Sequence, residues 1–234
     1  MTLKEEWLKE VHHVYEQMRR HRGQYHTIVN NLDIIVFPDV FSPAYFTDSA
    51  YFAKVVPEIV GKKRFLEIGT GTGVIAVSAV LNDATVVATD CNPHAVANAK
   101  ENVKYLGVNV EVLEGNMYNP ITKGRKFDII FWNHPFNKGD NPHEEMLLRA
   151  GFDYQYESLE KYVAQARTYL RPKGDLLLGS GNFADIAEIE RIAERNNFSL
   201  EILQEKECSL TEKSSILNRY IIYLLRNLYY SKYP

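Results

Sequence analysis

The sequence is short of several things. It has two cysteines, Cys91 and Cys208, far apart and without CxxC or CxxH spacing. That leaves no basis for a disulfide scaffold or a structural zinc site, and it points to a reducing compartment, with the cytoplasm as the expected location. No apolar run approaches the ~20 residues of a membrane-spanning helix, the longest being pieces such as Tyr220 to Leu225. The N-terminus, with Glu5 and Glu6 and no apolar stretch behind them, does not read as a secretory signal. Charge of one sign is also missing. Twenty-seven basic against thirty acidic residues give −3, which disfavours a global phosphate-binding surface and does not favour nucleic acid as a partner. No internal repeat or low-complexity tract is visible.

What remains is ordinary globular composition, 45% hydrophobic and 24% charged over 234 residues, enough chain to bury a core without a metal or disulfide staple. Residues 4 to 20 carry Trp7, Val11, Val14, Tyr15 and Met18 on one helical face. The basic run from Arg19 to His26 is nearly neutralised by Glu5, Glu6, Glu10 and Glu16 and reads as a solvated face. Residues Thr27 to Phe37 predict a hairpin about Asn30-Asn31, stopped by Pro38. From Arg64 onward, short apolar runs alternate with helical segments, the pattern of a parallel sheet covered on both faces. Strands are predicted at 64–68, 84–90, 109–113, 127–132, 175–179, 199–204 and 220–225. Helices are predicted at 74–80, 93–105, 159–170 and 184–195, with Gly107 and Gly174 as stops. The last two strands should pair antiparallel, because the polar connection 205–218 is too short for a crossover helix. The division expected is an N-terminal helix and hairpin cap over 1–60, followed by one domain over 61–234.

The string Phe65-Leu-Glu67-Ile-Gly69-Thr70-Gly71-Thr-Gly73-Val74 runs from a buried strand through a glycine-rich turn into a helix. Glycines allow close approach of a ligand, and the helix start offers free amides. A carboxylate at Glu67 would repel a pyrophosphate by roughly 1–4 kcal/mol at 4 Å and suits a ligand carrying an ammonium and a sulfonium. Val74 stands where a dinucleotide loop needs its third glycine. Asp90, ending the next strand, is placed to accept from both ribose hydroxyls of an adenosine. Together Glu67, the three glycines and Asp90 resemble motifs I and II of the Rossmann-like, class I S-adenosylmethionine-dependent methyltransferases. The resemblance covers about residues 60–225. It implies an α/β fold with a seven-stranded, mostly parallel sheet, one strand antiparallel and helices on both faces. It also implies S-adenosyl-L-methionine as cofactor, with Asn116 and Met117 lining the adenine, although the family usually has Asp at position 116.

The fourth strand runs into Asn133-His134-Pro135-Phe136, which resembles the (D/N)-P-P-(Y/F) signature of methyltransferases that modify planar nitrogens, namely glutamine amides and the amino groups of adenine or guanine. A conjugated NH2 is a poor nucleophile. By this resemblance, the Asn133 side-chain oxygen and the carbonyl of residue 134 would accept its hydrogens while Phe136 stacks on the planar group. His134 departs from the usual proline. Three roles stay open for it: passive substitution, reading of a different substrate, or general base. The upstream segment from Val36 through Phe41, Phe46, Thr47 and Asp48 resembles the stretch that covers the methionine end of the cofactor in the "small-domain" group, with Thr47 as a candidate contact. A proline-punctuated turn packed on the sheet is the plainer alternative. The stretch from Asn137 to Glu157 is long enough to be a substrate lid, and His143, Glu144 and Glu145 are read as loop residues rather than metal ligands. The acceptor stays open among protein, RNA and small molecule. A small-metabolite methyltransferase, a non-catalytic cofactor-binding module and a nicotinamide oxidoreductase are the rival readings.

Overall fold

The computed structural model describes residues 2–228; residue 1 and residues 229–234, which the two-part division includes, lie outside the described residues. In chain order the elements are α1 (Leu3–Met18), β1 (Tyr25–Val29), β2 (Leu32–Val36), α2 (Asp48–Val60), β3 (Arg64–Ile68) and α3 (Val74–Leu81). There follow β4 (Thr85–Asp90), α4 (Pro93–Tyr105), β5 (Glu111–Glu114), β6 (Phe127–Asn133), β7 (Asn137–Gly139) and α5 (Met146–Arg149). The chain then runs through β8 (Phe152–Tyr154), α6 (Glu157–Tyr169), β9 (Leu170–Gly181), α7 (Ile186–Arg195), β10 (Phe198–Ser209) and β11 (Leu217–Asn227).

Seven strands form one sheet in the order β10-β11-β9-β6-β3-β4-β5. All run parallel except β11, which pairs antiparallel with both β9 and β10. This is the Rossmann-like arrangement implied by the sequence motifs. Side chains alternate along each strand. Phe65, Val86, Phe131 and Leu177 meet α2, α3 and the β1–β2 hairpin on one face. Leu66, Ile130, Trp132 and Leu178 meet α6 and α7 on the other. The chain leaves β3 toward β4 on one side and returns at β6 on the other, so the carboxyl ends of β3 and β6 flank the topological switch point where such sheets bind ligands.

Three pieces of local chemistry build the surroundings of that point. The helix α1 starts with a capping box, Thr2 Oγ1 accepting from the Glu5 amide and Glu5 Oε2 from the Thr2 amide. It buries Trp7, Val11, Val14, Tyr15 and Met18, the face that its periodicity predicts. Each aromatic contributes about 4–6 kcal/mol of transfer free energy for roughly 150–250 Å² buried, enough to dock the helix firmly. The β1–β2 hairpin turns through Asn30 and Asn31, both at positive φ. Two fully buried asparagines of α4 then hold it by its backbone, Asn102 Oδ1 accepting from the Ile35 amide and Asn98 Oδ1 from the Phe37 amide, each at 2.8 Å.

Some expectations need correction. The α2 helix has no counterpart among the predicted elements. Gly174 stops no helix: α6 ends at Tyr169, and Gly174 lies in β9, where a Cβ would come within 3.1 Å of backbone oxygens of Phe127 and Asp128. The β10 and β11 strands extend well beyond 199–204 and 220–225, leaving only Leu210 to Ile216 as their connection. The basic run after α1 stays largely exposed, as a solvated face, while three of its side chains find partners. Arg19 forks onto Glu145 and also pairs with Glu16, His21 stacks on Tyr25, and His26 pairs with Asp33.

Candidate active site

A cleft of about 460 Å³ opens over the carboxyl ends of β3, β4 and β6. Its floor is the glycine turn. Gly69 has φ +64°, and a Cβ there would lie 2.8 Å from Trp132 Nε1, so only glycine lets the turn pass that indole. Gly73, at φ +82°, faces away from the cleft and packs on α4, where its Cβ would stand 3.1 Å from that of Ala99. Glu67 is 2% exposed and accepts from Thr70 Oγ1 at 2.6 Å. Burial pushes its carboxyl up to about 8, with Asp90 adding to the effect and the Thr70 hydrogen bond opposing it. Asp90 accepts from the Gly71 amide at 2.9 Å and the Asn92 amide at 2.8 Å, which leaves lone pairs on each oxygen for a ligand. Burial raises its pKa too. Asn116 and Met117 line the same cleft beyond Asp90, Met117 at φ +53°.

At the other end stands the tetrad. Asn133 Nδ2 donates to Asp48 Oδ2 at 2.9 Å, while its Oδ1 is buried without a hydrogen-bond partner. The amide is therefore held with its oxygen free. His134 is 2% exposed, its Nε2 lies 2.9 Å from Ser180 Oγ, and burial drives its pKa down to about 3. Pro135 and Phe136 line the cleft beside it. Tyr156 donates to the Phe136 carbonyl at 2.7 Å and fixes the exit of the loop. Thr47 is not on the cleft wall. Its hydroxyl donates to the Ser209 carbonyl at 2.6 Å and to Tyr220 OH at 3.1 Å, whereas Phe41, Phe46 and its neighbour Asp48 from the same segment do line the cleft. Asp48 is 5% exposed, accepts from the Ser49 amide at 2.7 Å, and has its pKa raised by burial. Sequence reasoning missed it. Its only signal was a carboxylate at the head of an apolar run.

The segment 137–157 forms β7, α5 and β8, the two strands pairing in parallel, and it lies against α1 through Leu147, Phe152, Trp7 and Tyr15. Both α1 and this segment contribute to the cleft wall. The Asp153 carboxylate caps α6 by accepting from the Ser158 and Leu159 amides.

Among the described residues, none of Asp48, Glu67 and Asp90 forms an ion pair. Two buried carboxyl groups, Asp48 and Glu67, and the part-buried Asp90, none of them in an ion pair, make a poor cradle for a pyrophosphate and a better one for a cationic ligand. The lining residues are thus compatible with a cationic ligand such as S-adenosylmethionine.

Known proteins share the fold. The family model for the methyltransferase small domain matches residues 31–205. A Methanocaldococcus jannaschii protein assigned as a protein N5-glutamine methyltransferase is 30% identical over 151 residues, covering 62% of this chain and 74% of that one. The release factor glutamine methyltransferase of Salmonella typhimurium is 33% identical over 129 residues, covering 50% of this chain and 46% of the relative; the match thus spans less than half of that bacterial enzyme. Among solved structures, the Thermus thermophilus 16S rRNA N2 G1207 methyltransferase, in complex with AdoMet and guanosine, superposes with a TM-score of 0.62 at 18% identity over 87% of this chain and 50% of that one. A ribosomal protein L11 methylase from Lactobacillus delbrueckii does so with 0.56 at 17%, over 76% and 79%. The fold, the cofactor cradle and the family match converge: this chain belongs to the methyltransferase small domain family and is an S-adenosylmethionine-dependent methyltransferase.

Proposed function

We propose that this chain methylates a planar nitrogen of a macromolecule, and that the nitrogen is the side-chain amide of a glutamine. The observation that carries the reading is the buried Asn133 Oδ1, left without a hydrogen-bond partner in a residue that lines the cleft while Asp48 takes the Nδ2 side of the same amide. When bound, S-adenosylmethionine supplies an electrophilic methyl group on a sulfonium sulfur. The chain's own task is then to bind, orient and exclude water. An acceptor oxygen at Asn133 and the backbone carbonyl of residue 134 would hold the two N–H groups of an NH2, turn the nitrogen lone pair toward the cofactor end of the cleft, and make it less conjugated. Phe136 offers a face for the planar group.

His134 serves here as a spacer rather than a base. Its low pKa leaves it neutral at physiological pH and a weak proton acceptor, and Ser180 occupies its Nε2. The cleft wall carries Asp48, Glu67, Asp90, Asp153 and Glu157 against Arg149 and Lys161, a balance that does not suit a phosphate backbone. Together with the relatives named for glutamine methylation, that supports an amide over a nucleobase.

The test is to incubate the protein with radiolabelled cofactor and a lysate separated into protein, RNA and small-molecule fractions. Label in protein is expected. Label confined to RNA would move the acceptor to a nucleobase amine, and label confined to small molecules would make the enzyme a metabolite methyltransferase. Cofactor binding without transfer to any fraction would identify a non-catalytic module.

A further inference from the structure

Among the described residues, four that line the cleft each carry a buried side-chain polar atom without a hydrogen-bond partner: Trp7 Nε1, Tyr15 OH, Asn133 Oδ1 and His134 Nδ1. The proposed function uses only the third. Two of the others, the Trp7 indole and the Tyr15 hydroxyl, are donors carried by one face of α1, an element that precedes the residues matched by the family model.

The Tyr15 tip is held closely. Its ring packs against Phe41, Phe46 and Phe152 with centroids 6.1–6.2 Å apart, and a Cβ at position 151 would collide with the hydroxyl, so Gly151 leaves the tip its place. Burial and the nearby Asp48 both raise the phenol pKa, which keeps the proton on the oxygen. Asp48 is also the group that holds Asn133. Tyr15 therefore carries a protonated and unsatisfied donor in the same cleft that Asp48 and Asn133 line. Leaving such a hydroxyl unpaired costs stability, and a ligand acceptor would remove the cost.

A primary carboxamide brings the complementary set, two N–H donors on nitrogen and a carbonyl oxygen with two lone pairs. Asn133 can serve the nitrogen, and its unpaired oxygen cannot serve the carbonyl. We propose that Tyr15 donates a hydrogen bond to the carbonyl oxygen of the methyl-accepting carboxamide and so fixes which way round the amide lies against Asn133. This rests on the amide reading of the site. A donor on the carbonyl strengthens amide conjugation rather than relieving it. The role is therefore specificity and orientation, visible in KM more than in kcat.

The experiment uses the full chain, Tyr15→Phe, and N-acetylglutamine methylamide as probe. Expected are a KM for the probe raised about five- to tenfold, the size of one neutral hydrogen bond, with kcat within about twofold. S-adenosylhomocysteine affinity by calorimetry should not change, and Tm should stay level or rise because an unpaired hydroxyl is gone. In isotope-edited infrared spectra of the 13C-carbonyl probe bound with S-adenosylhomocysteine, the wild-type carbonyl band should lie at lower frequency than in the variant. An unchanged KM and an unchanged band would overturn the Tyr15 assignment while leaving the amide function standing. A lowered Tm, or loss of S-adenosylhomocysteine binding, would overturn it as well by giving the hydroxyl another partner. Wild-type protein that neither binds nor methylates the probe would instead bring down the amide reading beneath it. Should the variant fail to fold, the wild-type band compared with the probe in water decides alone: an unshifted carbonyl refutes the proposal.

Discussion

Replacing Asp48 by alanine tests the orientation argument most sharply. The side chain accepts from Asn133 Nδ2 at 2.9 Å and is 5% exposed, so little solvent screening weakens the bond. A hydrogen bond to an ionised group contributes about 1.5–3 kcal/mol. Without it, the Asn133 amide can rotate and present NH2 where an acceptor is needed. If the bond is spent wholly on holding the reactive orientation, kcat should fall by about 10- to 150-fold, at 1.36 kcal/mol per tenfold. Cofactor affinity should hold, because Asp48 lies at the acceptor end. The assay is single-turnover transfer from radiolabelled cofactor, with calorimetry of S-adenosylhomocysteine alongside. Asp48→Asn is the companion: its Oδ1 can still accept from Asn133, so it should lose less activity. Sign matters for stability. The folded pKa of Asp48 lies above its unfolded value, so the folded state holds the proton more tightly. The stability this gives is fully present below the unfolded pKa and is lost as pH rises through the folded one. At pH 8 the ionised group costs stability, and Asp48→Asn should therefore raise Tm there while lowering kcat. An Asp48→Ala enzyme with kcat within twofold of wild type would refute the reasoning, as would equal losses of turnover and cofactor affinity.

Other predictions follow the same logic. Glu67, pushed up to about 8, must lose its proton to meet a cationic ligand, so affinity for S-adenosylmethionine should rise between pH 6 and 8 with proton release in calorimetry, and Glu67→Gln should flatten both. Gly69→Ala combines positive φ with a Cβ 2.8 Å from Trp132 Nε1; it should lower stability by at least about 1–2 kcal/mol in chemical denaturation and weaken cofactor binding with it. His134, held at about 3, should show no titration between pH 5 and 8 in its ring NMR signals, and the pH–rate profile should carry no inflection from it. The acid limb of kcat should belong to Asp48 instead. Once protonated, it would draw the Asn133 oxygen toward itself, and Asp48→Asn should remove that limb.

The motifs legible in the sequence are contiguous ones. The glycine turn, Asp90 and the 133–136 tetrad are each set by neighbours along the chain, and a buried parallel sheet announces itself through unbroken apolar strands. The hairpin at Asn30-Asn31 was readable because both residues tolerate positive φ. Asp48 was not, since its role depends on a partner 85 positions away. The α2 helix that carries it buries nine of its residues and holds Pro57 in its interior, which departs from the usual helix grammar. Asn98 and Asn102 look like surface residues of α4 until the hairpin backbone is laid on them. The outer half of β10, exposed from Glu201 to Glu207, lacks an apolar face to betray it and is a strand because β11 pairs with it.

The most direct test is to locate the transferred methyl group. Tandem mass spectrometry of the labelled fraction from a lysate incubated with wild-type protein, with Asn133→Ala in parallel, should place the methyl on the side-chain nitrogen of glutamine with the wild type alone. A methyl found on oxygen, sulfur or carbon, or transferred equally well by the Asn133→Ala protein, would contradict the account.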